Sequence, residues 1–442
     1  MRFSSFPRLR ILFLVLGDML ALFLALYTAL FVRFWSVPPA EVSYAHLQSF
    51  SPVFAASILI FFIAGLYDLH QLPFRKKVAS LILYSEIVAA FFSVLFFYVL
   101  PVITPKTVLG LYLVFSFVLV SLFRLYGVSR IQAGERRPAV FIGDKKEGEE
   151  LCKAVNGNDY YPFVIEKVFD IKSGEERASF MSYVESKDVP IRIASSESEF
   201  SRDISPFLYR GGENREVLDA TLCYEEVLGR VPLSSVTYNW FFQEVTLSSK
   251  WYLAFKRFMD IVISFPLFLL SLILFPLVYL AVKLDDGNEI FSVQNRIGKR
   301  GNKIKLYKIR TMSFTDEGKW LEENRENKVT RVGVFLRKSR IDELPQLWNV
   351  LRGDISLIGP RPDIIALGER LEKEIPFYEL RYAVAPGLSG WAQVRQENQP
   401  RTVEDTKLRF AYDLYYVKNQ SLLLDLHVAL KTIKTLIMRT GM

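Results

Sequence analysis

Four apolar stretches crowd the first 130 residues: Ile11 to Val32, Pro52 to Tyr67, Val78 to Leu100 and Val108 to Tyr126. A bilayer's hydrocarbon core takes about 20 helical residues to cross, and inside it every backbone polar group must find its partner within the protein. Runs of this length predict a four-helix transmembrane bundle over residues 1–130, the second span needing its flanks to reach across. The first run reads as a retained span, because it is long, carries Asp18 within it and is followed by no small-residue cleavage pattern. Cations set the expected orientation. Arg2, Arg8 and Arg10 precede the first span, Arg75, Lys76 and Lys77 separate the second from the third, and Arg130, Arg136 and Arg137 follow the fourth. The other two loops hold only Arg33 and Lys106. Both ends of the bundle are therefore expected on the cytoplasmic side. Asp18 is an ionisable residue inside a span, and a helix-to-helix hydrogen bond is its simplest use.

The chain has 442 residues, 51% of them in the AVILMFWYC set, which is ample apolar material for more than one core and excludes a disordered chain. Its 55 Lys and Arg against 47 Asp and Glu leave a charge of +8, suited to an anionic membrane surface or to phosphate-bearing ligands. No nucleic-acid motif accompanies that excess. Two cysteines and three histidines are too few for a disulfide framework, a Cys/His zinc site or a histidine-rich catalytic centre. Chemistry must then rest on carboxylates, cations and an external metal.

From Arg136 to about Glu244 the composition turns soluble. Ala139 to Ile142 reads as a buried strand, followed by Gly143 and a helix-compatible stretch, Asp144 to Ala154, which is how a dinucleotide-binding unit begins. A G-x-G-x-x-G fingerprint needs glycines at 143, 145 and 148, and Lys145 replaces the one that lets a pyrophosphate approach the backbone. Residues 136–245 are therefore expected to form a Rossmann-like cytoplasmic domain, with a second strand at Phe163 to Asp170, kept as a scaffold or regulatory module.

Beyond Lys250 the chain changes again. Lys256, Arg257 and Asp260 lead into an apolar run from Ile261 to Val282 that contains Pro266 and Pro276, and Lys283, Arg296, Lys299 and Arg300 follow it. Cations on both flanks predict that the run enters the membrane and returns, a re-entrant helix over about 258–283 broken at proline. In Lys303 to Arg310 the alternation predicts a strand with Ile304, Leu306, Lys308 and Arg310 on one face, two cations continuing an apolar stripe as a pyrophosphate site would require. In the segment Arg337 to Leu351, Leu344, Leu347, Trp348 and Leu351 fall at helical spacing. A helix is thus expected from near Asp342, with Pro345 in its first turn and Asp342 and Glu343 at its N-terminus. Adjacent helical residues point about 100° apart, so the two acids would do different jobs. Downstream, Arg361 sits between two prolines that stiffen the backbone, an arrangement suited to holding a phosphate.

Together these pieces resemble the bacterial sugar transferases, the monotopic polyprenyl-phosphate phosphoglycosyl transferases, in their long form. The resemblance rests on KRFMD (256–260), YKIRTM (307–312), RKSRIDELPQLWNVLRGDISLIGPRP (337–362), PGLSGWAQV (386–394) and YDLYYVKNQSLLLDL (412–426). It departs at Phe275-Pro276, where the family commonly has Ser-Pro, at Asn288-Glu289, where Gly-Pro is usual, and at Ser389, where Thr is. The resemblance implies an α-rich monotopic catalytic domain over 250–442. Its implied reaction moves a sugar phosphate from a UDP-sugar to a polyprenyl phosphate such as undecaprenyl phosphate, in two steps that release UMP. By position Asp342 matches the family's nucleophile and Glu343 its partner acid, expected to bind Mg²⁺. Lys308, Arg310, Arg337, Arg361 and Asp425 match polar positions around the site.

The expectation is a cytoplasm-facing enzyme of the bacterial inner membrane, in contact with membrane lipids and compatible with a homodimer, that begins exopolysaccharide, capsule or O-antigen assembly. Two rivals differ in kind. One is a membrane-anchored nucleotide-sugar-modifying enzyme using the middle domain, disfavoured by Lys145 and by the lack of an evident Tyr-x-x-x-Lys pair there. The other is a non-catalytic scaffold for polysaccharide export, which has no need of the DELPQ and GPRP motifs together.

Overall fold

The computed structural model describes residues 6–64, 66–67, 75–99, 106–127, 136–157, 161, 163–170, 174–185, 191–195, 215–245, 248–287, 289–312, 329–396 and 400–438. The chain divides into two compact units, Met1–Gly229 and Arg230–Met442.

The first unit opens with α1 (Phe6–Phe34), α2 (Ala40–Ala64), α3 (Arg75–Val99) and α4 (Lys106–Leu122), which continues as a π-helical turn, Phe123–Gly127. All four carry a stretch long and apolar enough to cross a membrane. The second begins twelve residues before the apolar run at Pro52, because the helix continues through Ser49 and Ser51, whose hydroxyls donate to helical carbonyls, and through the proline itself. Ala21, Ala25 and Ala29 recur every four residues on α1 and are buried with Leu22, Leu26 and Leu30, so small side chains let α4 approach closely. Asp18 is fully buried. Its carboxylate pairs with Arg124 of the π-turn and accepts from the Tyr67 hydroxyl at 2.7 Å, while Arg124 also donates to the Leu66 carbonyl at 2.7 Å. The intramembrane acid is therefore structural: it joins α1, the end of α4 and the chain just after α2 through a neutralised pair, which hydrocarbon demands. The cationic side chains that set the expected orientation lie almost entirely outside the described residues.

In the same unit β1 (Arg137–Ile142), β2 (Phe163–Phe169), β3 (Ile191–Ser195) and β4 (Arg215–Asp219) form a parallel sheet in the order β2-β1-β3-β4. Between them stand α5 (Lys145–Asn156) and α6 (Gly174–Glu185), and α7 (Ala220–Leu228) follows. A Cβ on Gly148 would come within 2.6 Å of Val168 and Phe141, so this glycine serves helix-to-sheet packing. The Asp144 carboxylate accepts from the backbone N–H groups of Lys146 and Glu147 at 3.0 and 3.2 Å. An anion already occupies the helix N-terminus that a dinucleotide phosphate would need.

The second unit starts at Arg230, so residues 230–245 side with it rather than with the sheet, and the expected boundary near 245 moves to 229. The reason is packing: Val231, Val236 and Trp240, the last on α8 (Tyr238–Glu244), are buried in one core with Ile297, Leu371, Tyr378, Phe410 and Leu414. Next comes α9 (Lys250–Asp286), 37 residues that run helical through both Pro266 and Pro276. The expected break at proline does not interrupt the helix. Each proline removes one hydrogen bond, whereas ending the helix would orphan several groups on a surface that is almost wholly apolar and exposed.

An antiparallel pair, β5 (Phe291–Ile297) and β6 (Lys303–Ile309), precedes α10 (Arg331–Ser339) and α11 (Gln346–Arg352). The remainder is β7 (Ser356–Ile358), α12 (Ile365–Glu374), β8 (Gly387–Ser389), α13 (Trp391–Arg395), α14 (Val403–Lys418) and α15 (Leu422–Met438). Gly359 and Gly387 let the β7 and β8 strands meet: a Cβ on Gly387 would lie 2.1 Å from the Gly359 nitrogen, and one on Gly359 2.4 Å from the Ala385 carbonyl oxygen.

Candidate active site

KRFMD fastens α9 to the rest of the unit. Lys256 pairs with Asp425 at 2.7 Å and donates to the Tyr416 hydroxyl at 3.1 Å. Arg257 donates to the last carbonyls of α11, those of Val350 and Leu351, the latter at 2.6 Å, where a cation also complements the helix dipole. Asp260 accepts from the Leu357 N–H at 3.0 Å and the Ser356 hydroxyl at 3.1 Å. Near its other end α9 packs Val282 against Ile290, Ile309 and Leu336, and Asp285 accepts from the Val332 N–H at the start of α10 at 2.9 Å.

Asp342 and Glu343 lie on a 3₁₀ turn, Ile341–Glu343, not on the helix proper, which begins at Gln346. The chain leaves α10 through Arg340 in the left-handed region (φ 57°), at a cost of about 1–2 kcal/mol for a non-glycine residue. Pro345 then ends the turn and admits α11, whose buried side carries Gln346, Leu347, Asn349 and Val350. The apolar spacing implied that Trp348 would be buried too, but it is half-exposed and lies against Phe268 of α9.

Asn349, fully buried, sets the register between α11 and β6. Its amide donates to the Lys305 carbonyl at 2.7 Å and its oxygen accepts from the Tyr307 N–H at 3.2 Å. One residue further, Lys308 turns inward and lies 3.7 Å from Glu343. Arg361 reaches the same carboxylate oxygen at 2.8 Å. Burial pushes Glu343 up, but Arg361 and Lys308 outweigh it and hold its carboxyl at about 2. Asp342 moves the other way, since burial and then the Glu343 charge raise it above the usual carboxylate range. Burial also lowers Lys308 to about 8, with Arg361 adding to the fall and Glu343 opposing it. Two neighbouring acids thus differ in kind: one is held ionised by two cations, the other is a more basic carboxylate. Asp342 Oδ1 and Gln346 Nε2, one helical turn apart, are both buried without a hydrogen-bond partner, as expected where a ligand supplies the missing contacts.

The other expected residues divide. Arg337 donates to the Thr311 hydroxyl at 2.8 Å, and its charge is felt by Asp342. Arg310, just past the end of β6, donates to the Glu289 carbonyl at 2.5 Å. Asp425 accepts from Lys256, Tyr416 and Tyr252 and so fastens α9.

A second set of residues, silent in the sequence, aims Arg361. Arg381, fully buried on the 3₁₀ stretch Tyr378–Ala383, donates to the Arg361 carbonyl at 3.0 Å and to Asp413 at 2.6 Å, and pairs with Asp363. Asp363 also accepts from the Tyr378 and Tyr382 hydroxyls at 3.0 and 3.1 Å. On the other side Arg296 donates to the Pro362 carbonyl at 2.9 Å. The loop carrying Arg361 is thereby pinned at three consecutive residues.

Residues 251–439 match the family model described as bacterial sugar transferase. Over 200 residues the chain is 42% identical to the UDP-N-acetylgalactosamine-undecaprenyl-phosphate N-acetylgalactosaminephosphotransferase of Aeromonas hydrophila, covering 44% of this chain and 46% of that protein. It is 40% identical over 185 residues to the UDP-glucose:undecaprenyl-phosphate glucose-1-phosphate transferase of Caulobacter vibrioides, covering 41% of this chain and 69% of that one. A third relative, the exopolysaccharide production protein PSS of Rhizobium leguminosarum bv. phaseoli, is 36% identical over 189 residues, which are 41% of this chain and 94% of that protein. The match thus spans under half of the first relative and nearly all of the third.

Arg381→Met would leave Asp363 and Asp413 buried without their counter-charge. The expected loss is about 3–5 kcal/mol of stability, measured by thermal unfolding of the detergent-solubilised protein, with Arg381→Lys losing less. An unchanged unfolding midpoint in the Met variant would contradict the network's role.

Proposed function

Because the chain belongs to the bacterial sugar transferase family, we propose that it moves a sugar 1-phosphate from a UDP-sugar to a polyprenyl phosphate such as undecaprenyl phosphate, as the first membrane step of a bacterial surface polysaccharide. The observation that carries this reading is the pair of neighbouring carboxylates with opposite electrostatic environments. In the first step an Asp342 oxygen attacks the phosphorus next to the sugar. The bond from that phosphorus to the bridging oxygen breaks, and UMP leaves with the oxygen and the electron pair. In the second step an oxygen of the polyprenyl phosphate attacks the same phosphorus, and Asp342 is released as a carboxylate.

Raising Asp342 makes its carboxylate more basic and so a stronger nucleophile. Holding Glu343 ionised keeps one permanent negative charge beside it. Lys308 and Arg361 are placed to neutralise diphosphate charge, and Arg337 offers a third cation. Glu343 is the residue that would hold Mg²⁺. A carboxylate kept ionised suits that ion, which takes one or two carboxylates and completes its shell with phosphate oxygens and water. When bound, the metal would stabilise the charge of the departing UMP.

The catalytic unit lies on the cytoplasmic face of the membrane, where UDP-sugars are made. Between Arg257 and Val282 a straight α9 would run about 37 Å, more than the hydrocarbon core. Both ends are tied to the α10–α11 segment, so a straight crossing would draw the charged site into hydrocarbon. A re-entrant α9 avoids that cost and leaves Lys256 and Lys283 at the headgroups, with the amphipathic α15 along the same interface. The parallel sheet of the first unit, with its helices, serves as a Rossmann-like scaffold, since Asp144 fills the anion position at its first helix. The same capping weakens the rival in which that domain modifies a nucleotide sugar.

Asp342→Asn is expected to lower turnover about a thousandfold or more, measured as UMP release across a panel of UDP-sugars; substantial turnover would remove Asp342 from the role. Attack needs the carboxylate, so kcat/KM should rise with pH through the raised Asp342 value. Glu343, ionised down to about 2, adds no limb of its own, and the fall should come near pH 8 as Lys308 loses its proton. Lys308→Arg keeps the charge and should carry that alkaline fall above about pH 9; an unmoved limb would acquit Lys308. For topology, single cysteines at Ser249 and Lys299, with Cys152 and Cys223 replaced by serine, should both resist a membrane-impermeant thiol reagent until cells or spheroplasts are permeabilised. Labelling of the Lys299 site alone beforehand would establish a true span.

A further inference from the structure

We propose that the outward face of α10, Val334 and Phe335, is where the isoprenoid chain of the acceptor lipid lies as its phosphate enters the site. This rests on the reading of function given above.

The inner side of α10 is committed. Leu336 is buried against Val282, Ile290 and Ile309, and a Cβ on Gly333 would lie 2.2 Å from the Thr311 carbonyl oxygen, so the helix is pressed onto the end of β6. The other side carries Val334, 44% exposed, and Phe335, 63% exposed. Scattered exposed apolar residues are ordinary on a soluble surface. Two observations set these apart. The part of α9 against which α10 packs itself exposes Leu277, Leu280 and Leu284, so the apolar side chains of α10 continue a surface made for lipid. One turn along the same helix come Arg337 and Lys338, and then, across the left-handed Arg340, Asp342.

The order along the chain is thus apolar pair, cations, nucleophile, which is the order of tail, phosphate and reaction centre in a prenyl phosphate. Phe335 stands about 6 Å along the helix axis from Ser339, so a chain running back from a phosphate at Asp342 would meet it within its first few isoprene units. A phospholipid has the same apolar character but no reason to register with the nucleophile, and it is the occupant against which the proposal is tested.

The test uses the full chain in phosphatidylethanolamine–phosphatidylglycerol nanodiscs with a UDP-sugar that the wild type accepts. Phe335→Ala should leave the first half-reaction unchanged, measured as UMP exchange into the UDP-sugar without acceptor, and raise KM for undecaprenyl phosphate about tenfold. The rise should shrink for a two-isoprene acceptor. Phe265→Ala, which removes an exposed aromatic side chain from the apolar length of α9, serves as the control for general membrane attachment and should change neither. In a separate arm a photoreactive benzoylphenylalanine replaces Phe335 and should cross-link added polyprenyl phosphate in preference to the excess phospholipid. Unchanged acceptor KM together with cross-links to phospholipid alone would overturn the proposal and make α10 a membrane anchor only. Absence of UMP exchange in the wild type with every UDP-sugar would instead defeat the functional reading, and the cross-link, which needs no turnover, would still decide the occupancy of α10.

Discussion

Arg257 and Asp285 stand near opposite ends of a 37-residue apolar helix, yet both are bound to one short polar segment, α10 to α11. Arg257 caps the carbonyls at the end of α11, and Asp285 accepts from an N–H in the first turn of α10. Between those two anchors lie Arg340, Asp342 and Glu343. The position of the acids relative to this apolar helix is therefore fixed at both of its ends by direct hydrogen bonds. Lys256 and Asp260 repeat the arrangement toward α15 and β7, so the motif KRFMD acts as a bracket for the whole C-terminal unit.

Electrostatics then separates two residues that are neighbours in sequence. Each unit of pKa difference corresponds to about 1.4 kcal/mol of differential interaction. Arg361 at 2.8 Å and Lys308 at 3.7 Å meet Glu343, while Asp342 keeps an unpartnered oxygen. Pairs of carboxylates pushed apart in this way are how one site obtains two acids with different tasks. The separation depends on Arg361 standing where it does, and hence on Arg381, which grips the carbonyl of Arg361 from a fully buried position between two aspartates. A buried charge network of this kind is weak evidence for added stability, but it tolerates few alternative geometries.

The membrane bundle uses the same logic for a different end. Asp18 and Arg124 neutralise each other inside the first unit, and Tyr67 and the Leu66 carbonyl take up their remaining capacity. In hydrocarbon a lone carboxylate would be costly, so the pair serves to register helices distant in sequence.

Hydropathy, the DELPQ and GPRP motifs and the alternation from Lys303 to Arg310 are local properties, written in consecutive residues. They sufficed to find the long apolar helices and the strand that brings Lys308 inward, and to name Asp342, Glu343 and Arg361, which the fold brings together. Contacts between distant segments decided the rest. Asn349 of α11 bonding to β6, Arg381 between Asp363 and Asp413, and Arg124 against Asp18 take roles that no periodicity or spacing predicts, because each is defined by which buried group it must satisfy once the chain has folded. The motif that carries Asp425 likewise does not reveal its partner Lys256, 169 residues away, and residues 230–245 resemble the middle segment in composition although their apolar side chains fill the C-terminal core. The start of the helix beyond the acids could not be read from spacing either: Arg340 in the left-handed region and Pro345 turn that stretch into a 3₁₀ corner, and the cost is met only by the tertiary contacts on both sides.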